Sequence, residues 1–222
     1  MSNQRAGRLN MKLRIPSLVL LALTSVPAMA QTVYSNGPIN GNNDAWTITF
    51  GYIVSDTFTL SNGNTAVTGL SFGAWLFPGD TLTSAEVSIT SLENGGTTYF
   101  DQVVNFTQSN CVTSEFDYQI CRETGTFNAG NFGAGTYWLN LQNASIPSGD
   151  PVYWDQNSGV GCSSPGCPSM ASDSDVGTIA GEAFTILGTS SSGTSTVPEP
   201  SSLMLFASGV LGVGAMVRRK RM

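Results

Sequence analysis

The sequence predicts an all-β exported body, an antiparallel β-sandwich of jelly-roll-like form, set between two short apolar ends. Three observations lead there. Apolar residues in the middle of the chain alternate with polar ones, which is the signal of half-buried strands: Trp46, Ile48, Phe50 and Tyr52, then Ala85, Val87 and Ile89, then Tyr137, Leu139 and Leu141. Turn-forming clusters separate such runs, at Asn62-Gly63-Asn64, Pro78-Gly79-Asp80, Asn94-Gly95-Gly96 and Pro147-Ser148-Gly149. Between them the chain is rich in Thr, Ser, Gly and Asn, with few helix formers in any run. Many short strands with regular breaks argue for a sandwich.

Residues 1–30 read as a secretory signal peptide. Arg5, Arg8, Lys12 and Arg14 form its basic region, Leu18 to Leu23 its apolar stretch, and Ala28-Met29-Ala30 its small-x-small cleavage site. Met11 is an alternative start, because Lys12 and Arg14 would suffice as the basic region. Gln31 is then the first mature residue, and residues 31–187 form the sandwich domain. Further strands are expected over Thr57–Leu60, Ala66–Leu76, Thr97–Phe106, Gly125–Asn128, Pro151–Trp154 and Thr178–Leu187. Residues 188–196 are a Gly/Ser/Thr linker, and residues 197–222 form the tail.

Charge narrows the function. Of nine basic residues, only Arg122 lies between Gln31 and Val197, while all fifteen acidic residues fall within Gln31–Pro200, giving that segment a net charge of −14. Such a body has no basic footprint for nucleic acid. It suits solubility outside the cell and attracts divalent cations. The chain has no histidine, so a Ser-His-Asp triad, a Cys-His dyad and a histidine-based metal site are excluded. No cofactor or metal is expected.

The four cysteines all lie in the body. An even number in an exported chain reads as disulfides. Three connectivities are possible. Closeness in sequence favours Cys111 with Cys121 and Cys162 with Cys167, each pair bracketing a loop. An all-cysteine zinc site is the alternative, against which stand the wide spacing and the oxidising compartment.

The tail has three parts in order. Pro198-Glu199-Pro200 comes first. The uncharged run Ser201 to Val217 follows, then the basic cluster Arg218, Arg219, Lys220 and Arg221. As a helix the run would rise roughly 25 Å, just enough for a transmembrane span, and the basic cluster would stay in the cytoplasm. Proline disfavours helix in the residue before it, so the Pro-Glu-Pro segment is extended. Together these parts resemble the PEP-CTERM sorting signal of exported bacterial proteins. The resemblance implies an exosortase-type membrane protease as partner. It also implies a transient inner-membrane anchor, then a body at the cell surface or in extracellular polysaccharide. The alternative is a plain anchor that is never cut.

The run from Gly135 to Ile186 is more loosely similar to the closing strands of other PEP-CTERM-type exported β proteins, whose activity is unassigned. Strand period places Trp138 opposite Tyr137, Leu139 and Leu141, on the face shared with Asn140 and Gln142. An outward indole beside two amides could stack on a sugar ring. The opposing expectation is that the loop over Tyr153–Met170 covers it. Trp46, Trp75 and Trp154 are expected in the core. The densest acidic groups, Asp173-Ser174-Asp175 and Asp150 with Asp155, offer no recognisable catalytic pair and lack the features of an EF-hand. The body is therefore expected to be a binding or structural protein and not an enzyme. The alternative is a carbohydrate-active enzyme working through acidic residues.

Overall fold

The computed structural model describes residues 30–114, 116–157 and 169–190. Twelve strands make up the fold: β1 (Gln31–Ser35), β2 (Ala45–Thr47), β3 (Ile53–Leu60), β4 (Thr65–Leu76), β5 (Ser84–Leu92), β6 (Gly95–Thr113), β7 (Gln119–Phe132), β8 (Gly135–Ser145), β9 (Tyr153–Asp155), β10 (Ala171–Asp173), β11 (Gly177–Ile179) and β12 (Phe184–Ser190). No helix occurs among the described residues. The all-β antiparallel class expected from the alternation is what the chain adopts.

The strands form one curled sheet in the order β1-β12-β4-β7-β6-β5-β8-β3-β10-β11, with β9 joining β4 and carrying β2. The layers of the expected sandwich are not separately hydrogen-bonded. The reason is β6, whose first part, to Asn105, pairs with β5, while Phe106 to Thr113 pairs with β7. One strand thus runs through both halves, and the sheet folds over along it.

The inward faces of the halves enclose the core. Val54 and Phe58 of β3, Leu139 and Leu141 of β8, and Val87 and Ile89 of β5 come from one side. Leu70 and Phe72 of β4, Trp154 of β9, and Phe184 and Ile186 of β12 come from the other. Phe72 stands edge-on to Phe106 and Trp154, with ring centres 5.2 and 6.1 Å away. Tyr34 of β1 bridges Phe184 at 5.6 Å and Phe58 at 6.1 Å, closing the curl between β12 and β3. Edge-to-face aromatic pairs at these spacings add to the area they bury.

Several boundaries differ from the sequence expectations. The alternation from Trp46 to Tyr52 is not one strand: β2 ends at Thr47, and the chain turns at Phe50 (φ 58°) and Gly51 (φ 90°), closed by Tyr52 N–H to the Thr49 carbonyl at 3.1 Å. Phe50 is consequently 70 % exposed. The last strand extends into the stretch read as linker, because Gly188, Thr189 and Ser190 still pair with Val67, Ala66 and Thr65. Gly73 permits one tight approach. A Cβ there would meet the Asp155 Cβ at 2.6 Å and Ile39 Cγ2 at 2.8 Å, so only glycine lets β9 lie this close to β4.

Candidate functional site

The outward face of β8 is where the sequence placed a ligand platform. Trp138 is half-buried there, between Thr57 of β3 and Thr90 of β5 in the cross-strand register. Gln142 donates to Glu86 Oε1 at 2.9 Å, and Asn143 donates to Glu86 Oε2 at 2.7 Å. Asn140 is 1 % exposed. Its Nδ2 donates to Ser88 Oγ and Thr90 Oγ1, both at 3.0 Å, and its Oδ1 accepts the Asn94 N–H at 3.1 Å. Parity placed Asn140 on the correct face, but the β5–β6 turn folds over it, so its amide anchors that turn instead of meeting solvent. Trp138 and Gln142 remain partly accessible.

On the same sheet face lies a cleft of about 260 Å³, lined by Ile53, Ser55, Glu93, Asn94 and Ser174. Ser55 sits opposite Asn140 in the register, and Asn94 is the residue that Asn140 holds. The walls are the β5–β6 turn and the β10–β11 turn. The Asp173 Oδ1 atom shapes the latter by accepting the N–H groups of Asp175 and Val176 at 2.9 and 3.1 Å. The Asp173-Ser174-Asp175 group therefore serves the turn. The cleft offers hydroxyls, an amide and one carboxylate around a single aliphatic side chain. That set suits a small, hydroxyl-rich group.

A second surface was not legible in the sequence. At the far end of β4, Trp75 stacks on Phe116 (5.9 Å, 24° between planes), Tyr118 meets Trp75 at 5.6 Å and Phe77 at 5.1 Å, and Tyr153 packs on Tyr118 at 5.8 Å. Phe116 and Phe77 are 54 % and 39 % exposed. The Cys111–Cys121 disulfide links β6 to β7 behind this tip, as expected from the spacing. Trp75 and Trp154 are buried as expected, whereas Trp46 is only partly so. Trp75 Nε1 donates to Asp155 Oδ1 at 2.7 Å.

Four acids are fully buried, and three of them, Asp56, Glu182 and Glu123, escaped the sequence reading. Asp56 is fully buried on the inward side of β3, with Oδ2 accepting from Asn36 Nδ2 at 3.0 Å and from the Glu182 N–H at 2.6 Å. Burial pushes its pKa up to about 7, opposed first by hydrogen bonding from the Ser169 side chain and then by the Glu182 and Thr57 N–H groups and Asn36. Glu182, fully buried between β11 and β12, is raised well above the usual carboxylate range, first by burial and then by the charges of Asp56, Asp155, Asp44 and Asp173. Asp155, also buried, is raised by burial, opposed by its bonds from Trp75 and from the Asn40 and Gly41 N–H groups. Glu123 of β7 faces the core, where burial alone lifts it to about 7. Neither Glu123 nor Glu182 has a hydrogen-bond partner for its carboxylate among the described residues. With side chains this inaccessible, none of these acids is placed to touch a polymer.

Cys162, Cys167, the signal peptide, the Pro198-Glu199-Pro200 motif, the apolar run and the basic cluster Arg218, Arg219, Lys220 and Arg221 lie outside the described residues. No curated protein matches the chain. Residues 196–220 match the family described as the PEP-CTERM protein-sorting motif, so this chain carries the sorting tail of an exosortase substrate, a protein exported and then processed at the membrane.

Proposed function

We propose that the exported body is a non-catalytic binding module for a neutral polysaccharide of the cell surface or extracellular matrix. It takes one sugar ring in the cleft over β3 and β8, with Trp138 as the flanking aromatic. The observation that carries this reading is a polar cleft on the same sheet face as the half-buried Trp138, with its Ser55 opposite Asn140, two positions along β8. The charge of the body favours a neutral polymer, since fifteen acids against Arg122 repel anionic chains. Binding without turnover is supported by the inaccessibility of the most perturbed acids.

A glycan array followed by calorimetry on the exported protein tests this reading. Trp138→Ala should weaken binding by about 1–3 kcal/mol, the range for stacking on an aromatic platform. Glu93→Ala should weaken it as well. The Trp138 variant should melt only modestly earlier, because its ring is half-exposed. Unchanged affinity in both variants would refute the site. Release of shortened sugars would replace the module with a carbohydrate-active enzyme.

A further inference from the structure

We propose that Glu182 and Asp56 together hold a calcium ion between the two halves of the curled sheet. Three of their four carboxylate oxygens, Glu182 Oε1, Glu182 Oε2 and Asp56 Oδ1, are buried and have no hydrogen-bond partner among the described residues. Buried carboxylates are normally hydrogen-bonded or paired, and an exception points to an ion or a water. The two acids are neighbours: the Glu182 backbone N–H donates to Asp56 Oδ2, and the Asp56 charge is the strongest acting on the Glu182 carboxyl. Among the described residues no side-chain cation answers them. Arg122 is the sole basic residue between Gln31 and Val197, and its Nη1 donates to Ser71 Oγ at 3.2 Å.

Neutral oxygens complete the set. The Asn36 amide nitrogen lies 2.8 Å from Ser169 Oγ, 2.7 Å from the Glu182 carbonyl and 3.0 Å from Asp56 Oδ2. The Tyr34 hydroxyl donates to Asn36 Oδ1 at 3.0 Å and fixes this orientation, so Asn36 braces Asp56 Oδ2 and leaves Oδ1 to the ion, with the Ser169 hydroxyl and the Glu182 carbonyl as nearby neutral oxygens. Among the described residues no three acidic side chains stand together as a ligand group, so the ion rests on two carboxylates, neutral oxygens and water. Asp155 and Asp173 contribute field and not ligation, because Trp75, Asn40 and Gly41 occupy the first and the Asp175 and Val176 N–H groups the second. All-oxygen donors in an irregular array fit calcium. Magnesium demands a near-ideal octahedron, and zinc favours nitrogen and sulfur donors. Asp56 belongs to β3 in one half and Glu182 precedes β12 in the other, so the ion would fasten the halves where Tyr34 bridges them.

The test uses the exported protein stripped with a chelator and titrated with calcium chloride. One calcium per chain should bind, with half-saturation at roughly 0.1–1 mM, the range of extracellular modules. The melting temperature should rise saturably with calcium and not with magnesium. Terbium in place of calcium should luminesce on tryptophan excitation, since Trp154 Nε1 donates to the carbonyl of Ala183, the residue after Glu182. Glu182→Gln and Asp56→Asn should each abolish uptake in that range. No calcium uptake by the unmutated protein would overturn the proposal without recourse to any variant. So would uptake unchanged in both variants.

Discussion

Replacing Glu123 by glutamine should remove one distinct part of the stability that this protein loses as pH rises. Glu123 lies on the inward face of β7, in register with Phe72 of β4 and Gln108 of β6. Both its oxygens lack a donor among the described residues, and Gln108 Oε1 across the strand pair lacks one too. The ionised acid therefore has nothing to accept, while the protonated acid supplies a donor where one is missing. Burial alone lifts its pKa from 4.5 to about 7. At about 1.4 kcal/mol per pH unit, that gap amounts to roughly 3 kcal/mol.

The sign follows from proton counting. Between pH 4.5 and about 7 the native state holds a proton that the unfolded chain releases. The stabilisation is complete below pH 4.5, falls as pH climbs, and is gone above about 7. Glutamine cannot ionise, and its amide can donate to Gln108 Oε1. Urea unfolding followed by tryptophan fluorescence, in chelator and across that range, would give both stability curves. The difference between variant and parent should swing toward the variant by roughly 3 kcal/mol with rising pH. Asp56 and Glu182 titrate in both proteins and cancel in that difference. Parallel curves would mean that Glu123 ionises as it does in water, and would refute the reasoning.

Two further predictions concern the anchored turn and the tail. Asn140→Ala strips partners from Ser88, Thr90 and the Asn94 N–H and should cost about 3 kcal/mol in the same unfolding assay, at about 1 kcal/mol per bond; a loss near zero would mean that water replaces the amide. Intact-mass analysis of released protein should place its C-terminus near Pro198–Pro200, whereas finding Phe206 or Arg219 in the mature chain would leave a plain anchor.

What was legible in the sequence was local. The alternation around Leu139 and around Val87 gave two central strands and their inward faces, and ten residues of separation gave the Cys111–Cys121 link. Phe50 broke its pattern because Gly51 opened a turn, an instance of backbone freedom overriding hydrophobic period. The length of β6 was hidden by its change of partner. Val103 is 70 % exposed while Phe100, Val104 and Phe106 point inward, so its apolar residues do not all mark one face. Asp56 was visible in principle, since it shares parity with Val54 and Phe58 and stands as an acid in an apolar phase. Its meeting with Glu182, 126 residues later, depends on how the sheet curls, which no local pattern carries. The burial of Asn140 likewise depends on a turn from a neighbouring hairpin.

The pairing of β1 with β12 decides how the molecule is presented. Gln31 lies opposite Gly188, and Ser190 lies opposite Thr65. The first strand thus begins and the last strand ends at one corner of the body. From Thr65, β4 runs to Leu76, a span of roughly 35 Å at about 3.3 Å per residue. Its far end carries Trp75 stacked on Phe116, followed by Phe77 beside Tyr118. The Gln31–Ser190 corner and the aromatic crown therefore stand at opposite poles of the body, so whatever holds the first leaves the second facing away from it.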